Sequence, residues 1–166
     1  MARFIAFLLA FVLAAFAAWP YYTLYRLDTV LSEPDPAAIA SFVDLTAIRH
    51  AYQERLGDGL DRAVSRPGAE PEPILDWLAQ GLRGLGVAAL ERVVTLEWVR
   101  DQLRSAATAA TDKRPTYLLA GVTSARFQSW DRFLVRLGQG SAETRLTFGL
   151  TEAGWRISAL DQGERW

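Results

Sequence analysis

Phe4 to Trp19 carries no charged and no strongly polar side chain, and only Met1-Ala2-Arg3 precedes it. Past Pro20 the pattern changes to an amphipathic one. Leu24, Leu27 and Leu31 recur at helical spacing, with Arg26, Asp28 and Ser32 between them. This spacing predicts a helix with one apolar stripe. Ser32-Glu33-Pro34-Asp35-Pro36 ends it, because a residue before proline avoids the α region. Asp35 then caps a new helix with Pro36 at its first position. Its stripe is Ile39, Phe42 and Val43. Asp44 is the next cap, followed by Leu45, Ile48, Tyr52 and Leu56 at helical spacing, until Gly57 and Gly59.

Arg66 to Pro73 reads as a surface loop, rich in Pro and Gly. Ile74, Leu78, Leu82 and Leu85 share the face of a further helix, and Val87, Leu90 and Val94 resume the pattern. Thr95 caps a short helix carrying Leu96, Val99 and Leu103, with Val94 and Val99 as a hydrophobic staple. From about Ser124 the period drops to two. Phe133, Val135 and Leu137 alternate with Arg132, Leu134 and Arg136. Leu146, Phe148 and Leu150 follow, and then Trp155, Ile157 and Ala159, with turns at Gly138–Ser141 and Glu152–Gly154. These runs predict a three-stranded antiparallel meander with one apolar and one polar face. The preceding helices cover the apolar face. The fold class is α+β, with several N-terminal helices packed on a C-terminal antiparallel sheet of about three strands.

The first 19 residues read in two ways. A positive start, an apolar stretch and small residues at Ala15 and Ala17 fit a secretory signal cut before Ala18. The same run also fits a retained anchor. As a helix, Phe4 to Trp19 covers about 24 Å. Extending it through Tyr21, Tyr22, Leu24 and Tyr25 reaches the roughly 30 Å of a bilayer core, with Trp and Tyr as an interfacial belt. In both readings Arg3 stays inside and the rest is exported, to the periplasm or the periplasmic face of the inner membrane. The domain division is 1–19 as signal peptide or anchor and 20–166 as a single α+β domain. If uncleaved, the N-terminal segment makes the inner membrane a partner.

Composition removes several chemistries. The chain has no cysteine, so disulfides, thiolate metal sites and a cysteine nucleophile are excluded. Its 18 Lys and Arg balance 19 Asp and Glu, which is not the footprint of a nucleic-acid binder. His50, the sole histidine, stands beside Arg49 on the polar side of its helix, without a second histidine or a recognisable nucleophile motif. It reads as a surface residue, and no catalytic residue, metal site or cofactor is assigned. The carboxylate pairs Asp28/Glu33 and Asp58/Asp61 are candidates for glycoside hydrolysis on paper. Most acids, such as Glu91 near Arg92 and Asp101 near Arg104, read as solvated ion pairs. Gly81, Gly84 and Gly86 lack the strand and the Lys of a phosphate loop. What remains is a set of binding candidates. Arg132, Arg136, Arg145 and Arg156 fall on the polar face of the meander, where they suit an anionic headgroup or an acidic partner. Trp77 and Trp130, with Trp98 and Trp155, suit either a ligand cavity or the core.

The order Pro20, Tyr21, Tyr22, Leu24, Tyr25, then Asp35, then Phe42, Val43 and Asp44 resembles the start of the exported bacterial proteins grouped as domain of unknown function 2939. The stretches WDRFLVRLG and GLTEAGWRISAL are similar to its C-terminal strands. The resemblance implies an exported protein without an established activity, so it carries over no catalytic residues. The helix-then-curved-sheet order is also similar to cone-shaped folds related to nuclear transport factor 2. The expected function is a non-catalytic envelope module that binds a protein or small-molecule partner. The alternatives are a carrier or sensor of an apolar molecule held between helices and sheet, and a hydrolase.

Overall fold

A computed structural model describes residues 2–64, 88–111, 117–140 and 143–162. The predicted loop Arg66–Pro73, the helix face from Ile74 to Leu85, and Trp77 lie outside the described residues.

The N-terminal element is one helix, α1 (Ala2–Leu31), with Pro20 inside it. The expected division at Trp19 is therefore no break in secondary structure. Pro20 removes the N–H that the Phe16 carbonyl would otherwise accept. The helix continues because its buried stripe does. Phe16 is half-buried, and Pro20, Thr23, Leu24, Leu27 and Leu31 are buried, at spacings of three and four. The helix ends where expected, and Arg104 closes it. Its guanidinium donates to the Leu31 carbonyl at 2.9 and 3.1 Å and to the Glu33 carbonyl at 3.0 Å. A cation at that end satisfies carbonyls that have no partner within the helix.

Asp35 caps a 3-10 helix over Pro36–Phe42, its carboxylate accepting from the Ala37 N–H at 2.8 Å. Asp44 caps α2 (Leu45–Val64), accepting from the Ala47 N–H at 2.9 Å. Helix α2 runs through Gly57 and Gly59 rather than stopping there. Glycine in a helix interior costs only about 1 kcal/mol, and neither residue takes the left-handed conformation that ends helices. Thr95 caps α3 (Leu96–Thr111), which is longer than expected. The Thr95 hydroxyl accepts from the Trp98 N–H at 3.2 Å, and the staple residues Val94 and Val99 are both buried.

The sheet has four strands rather than three, in the order β1 (Val122–Ser129), β2 (Arg132–Leu137), β3 (Thr144–Thr151) and β4 (Gly154–Gln162), with every neighbour antiparallel. The added strand, β1, lies at the sheet edge, and only Phe127 gives it a strong apolar signal. Val43 makes a parallel bridge to Ile157, and the Asp44 N–H donates to the Ile157 carbonyl at 2.9 Å. This bridge fixes the start of α2 against the free edge of β4.

The inner face carries Phe133, Val135, Leu137, Leu146, Phe148, Trp155 and Ile157, all buried against α1, α3 and the 3-10 helix. One register detail differs from simple alternation. Phe148 pairs with Ile157 but Thr147 pairs with Ala159, so Ser158 is an extra residue, a β-bulge. Leu160 therefore points into the core, at 1% exposure, and Ala159 turns to the outer face.

Candidate functional site

The outer face of the sheet meets the side of α2 in an open groove of about 610 Å³. Asp44, Thr46, Ala47, His50, Ala51 and Glu54 form the helix wall, and Gln128, Arg132, Thr147, Ser158 and Ala159 form the sheet wall. The helix wall follows from spacing. Residues 47, 50, 51 and 54 recur at three and four, beside Ile48, which is fully buried. The small side chains of Ala47 and Ala51 keep the groove open. On the sheet wall, Ser158 stays on the outer face at the bulge, its side chain turned over β3, where its hydroxyl donates to the Thr147 carbonyl at 3.2 Å. A Cβ on Gly149 would stand 3.3 Å from the Ser158 oxygen, so glycine there leaves room for that turn of the side chain.

The four arginines predicted as binding candidates share the outer face but form two separate rows. Arg132 and Arg156 are each paired with Gly149. Two strand spacings, about 10 Å, separate their backbones with no side chain between. Arg136 and Arg145 stand directly opposite each other two rows away, with the Leu134–Thr147 row between. Like charges in that position repel, and Glu143 relieves it, at 2.6 Å from Arg145 and 3.9 Å from Arg136. The Arg145 hydrogen bond holds the Glu143 carboxyl below its usual range, aided by both arginine charges, and the same contact raises Arg145. Arg126, paired with Leu134, adds a fifth arginine to this face. Its strand was illegible as a strand, which is why sequence reasoning missed it. Of these five, Arg132 alone lines the groove, and among the described residues no carboxylate lies within ion-pairing distance of it.

The tryptophans do not gather. Trp155 is buried in the core, and Trp98 packs edge-on against Tyr52 at 5.8 Å. Trp130 is 73% exposed in the β1–β2 turn, and Trp77 lies outside the described residues. His50 faces the groove, with Nδ1 3.5 Å from Glu54 and both side chains more than two-thirds exposed. A solvated pair of this kind orients the imidazole weakly. Among the described residues no three His, Cys, Asp or Glu side chains come together as metal ligands. Thr147, Ser158, Gln128 and Glu54 are groove residues without a sequence signal, since the groove joins segments about 100 positions apart.

Residues 9–103 match the family described as "Protein of unknown function (DUF2939)". The match covers more than half of the chain, and the chain belongs to this family. The matched segment includes most of α1, all of α2 and the start of α3, and the four strands follow it. No curated protein and no solved structure matches the chain, so the similarity to the cone of nuclear transport factor 2 has no matching structure behind it.

Proposed function

We propose that this member of domain of unknown function 2939 is a membrane-tethered, non-catalytic binding module of the cell envelope. Helix α1 is its retained anchor, Arg3 stays on the cytoplasmic side, and the α+β domain lies outside. The groove between α2 and the sheet holds a small polar ligand through an anionic group at Arg132. The observation that carries this reading is the groove itself. Its volume, about 610 Å³, falls within the range of small-molecule sites, and it combines small apolar side chains with a few convergent polar ones. Arg132 supplies a planar cation suited to a carboxylate or phosphate. The hydroxyls of Thr46 and Thr147 supply hydrogen bonds.

An apolar cargo between helices and sheet has less support, since Phe133, Phe148 and Trp155 fill that space, with Phe133 packed against both others. Hydrolysis has less support too. His50 and Glu54 are solvated, and the Ser158 hydroxyl is committed to the Thr147 carbonyl. Native mass spectrometry of the full chain, released from detergent, tests the proposal. An anionic small-molecule adduct on the wild type that is lost in Arg132→Ala is the expected result. The same adduct on both proteins, or none on either, contradicts it.

A further inference from the structure

Helix α1 touches the sheet earlier along its length than a bilayer-spanning helix needs to. From Phe4 to Leu13 its large side chains are at least 55% exposed. At Phe16 it is already packed, with ring centroids 6.3 Å from both Phe127 and Trp155. Crossing a bilayer core takes about 20 helical residues. Counted from Phe4, the outer boundary falls near Thr23, two turns beyond the first contact with the domain. About 10 Å of helix is therefore claimed both by the bilayer and by the sheet.

The direction of α1 determines which part of the domain is affected. Asp28 accepts from the Leu118 N–H at 2.5 Å, just before β1, and the Tyr21 hydroxyl donates to the Ala125 carbonyl at 3.2 Å. Phe16 then lies beside Phe127, near the end of β1. Helix α1 thus runs antiparallel to β1, and its N-terminal end points the way β1 runs, toward the β1–β2 turn. The β3–β4 turn shares that end, since Gly154 lies beside the Trp19 ring. Trp130, at the tip of the first turn, is 73% exposed, an unusual position for a tryptophan without a partner. Asp131 beside it has its carboxylate taken by the Ser129 hydroxyl at 2.5 Å.

We propose that this end of the sheet is a membrane-docking surface, with Trp130 seated in the headgroup layer of the bilayer that α1 crosses. The inference rests on the reading of α1 as a retained anchor. Docking resolves the double claim on α1, because the turns enter the interfacial layer as the helix leaves the core. It also gives Trp130 the environment that suits an amphipathic ring. The domain is then held at a fixed height and orientation, not on a loose tether.

The absence of cysteine makes single labels unambiguous. The full chain carrying Trp130→Cys or Ala153→Cys is labelled with an environment-sensitive fluorophore and reconstituted into phosphatidylcholine–phosphatidylglycerol vesicles. Ser105→Cys is the control. It is an exposed position of α3 next to Arg104, which holds the opposite end of α1. Flotation with the vesicles reports the anchor, and quenching by headgroup-proximal spin-labelled lipid reports docking. The expected result is a blue shift and a loss of emission at 130 and 153, none at 105, and flotation of all three. Flotation with labels at 130 and 153 as open to aqueous iodide as the label at 105 overturns docking and leaves the anchor standing. Failure to float overturns the anchor, and docking with it.

Discussion

Replacing Trp155 by alanine should remove the piece that ties α1 to the sheet. Trp155 is 2% exposed, and its ring lies 5.8 Å from Phe127 and 6.4 Å from Phe133, both edge-on, and 6.3 Å from Phe16. Deleting a buried Trp side chain costs about 3–5 kcal/mol, the sum of lost transfer energy and the cavity left behind. Each aromatic contact adds about 0.5–1.5 kcal/mol beyond area. The upper half of the range is expected, since Trp155 contacts three rings at once. One feature works against it. The Trp155 indole N–H is buried with no hydrogen-bond partner among the described residues, and its removal returns part of that desolvation cost. The net expectation is about 3–4 kcal/mol. With a urea m-value of about 2 kcal/mol/M, the unfolding midpoint drops by about 1.5–2 M. The assay is urea unfolding of the full chain in detergent, followed by circular dichroism. Trp130→Ala, in the exposed turn, should stay within about 0.5 kcal/mol. Equal midpoints for Trp155→Ala and wild type would refute the inward register of β4.

Three further outcomes are expected. A Cβ at Gly121 would stand 2.6 Å from the Ala110 Cβ, so Gly121→Ala should cost about 1–3 kcal/mol in the same unfolding assay, through overpacking of α3 on the start of the sheet. Burial raises the Tyr52 phenol above its ordinary 10.0, against the lowering effect of Arg55 and with a smaller push from Asp161. Its contribution to stability is therefore full below pH 10 and is lost as the pH climbs through the raised value, so Tyr52→Phe should flatten the alkaline limb of a stability–pH profile. His50→Gln should leave the unfolding midpoint within about 0.5 kcal/mol of wild type and leave complementation of a deletion strain intact, since the side chain is solvated.

Much of the fold was legible because local signals agreed with tertiary burial. Asp35, Asp44 and Thr95 each cap the helix their position predicts, and Leu24, Leu27 and Leu31 face the core. Phe133, Val135, Leu137, Leu146 and Phe148 point inward by alternation alone. The misses have physical causes. Strand β1 is a sheet edge whose outer face carries Ser124, Arg126 and Gln128, and its inner face offers mainly Phe127. The bulge at Ser158 shifts the phase of β4 without changing its composition, so Leu160 rather than Ala159 is buried. The change of pattern at Pro20 falls inside one continuous helix, with Pro20 itself buried, so it marks no break in secondary structure. Arg132 was visible as a polar-face arginine. The groove around it was not, because the Val43–Ile157 bridge that brings α2 to the sheet leaves no trace in local pattern.

The intact mass of the protein recovered from membranes tests the account most directly, because groove, anchor and docking end all belong to one chain only if α1 is kept. The expected result is a membrane-bound species at the full 18.4 kDa, including Phe16 and the apolar turns before it. A soluble species that begins at Ala18 would contradict it. Such a protein would have lost both the anchor and the Phe16 contact with Phe127 and Trp155.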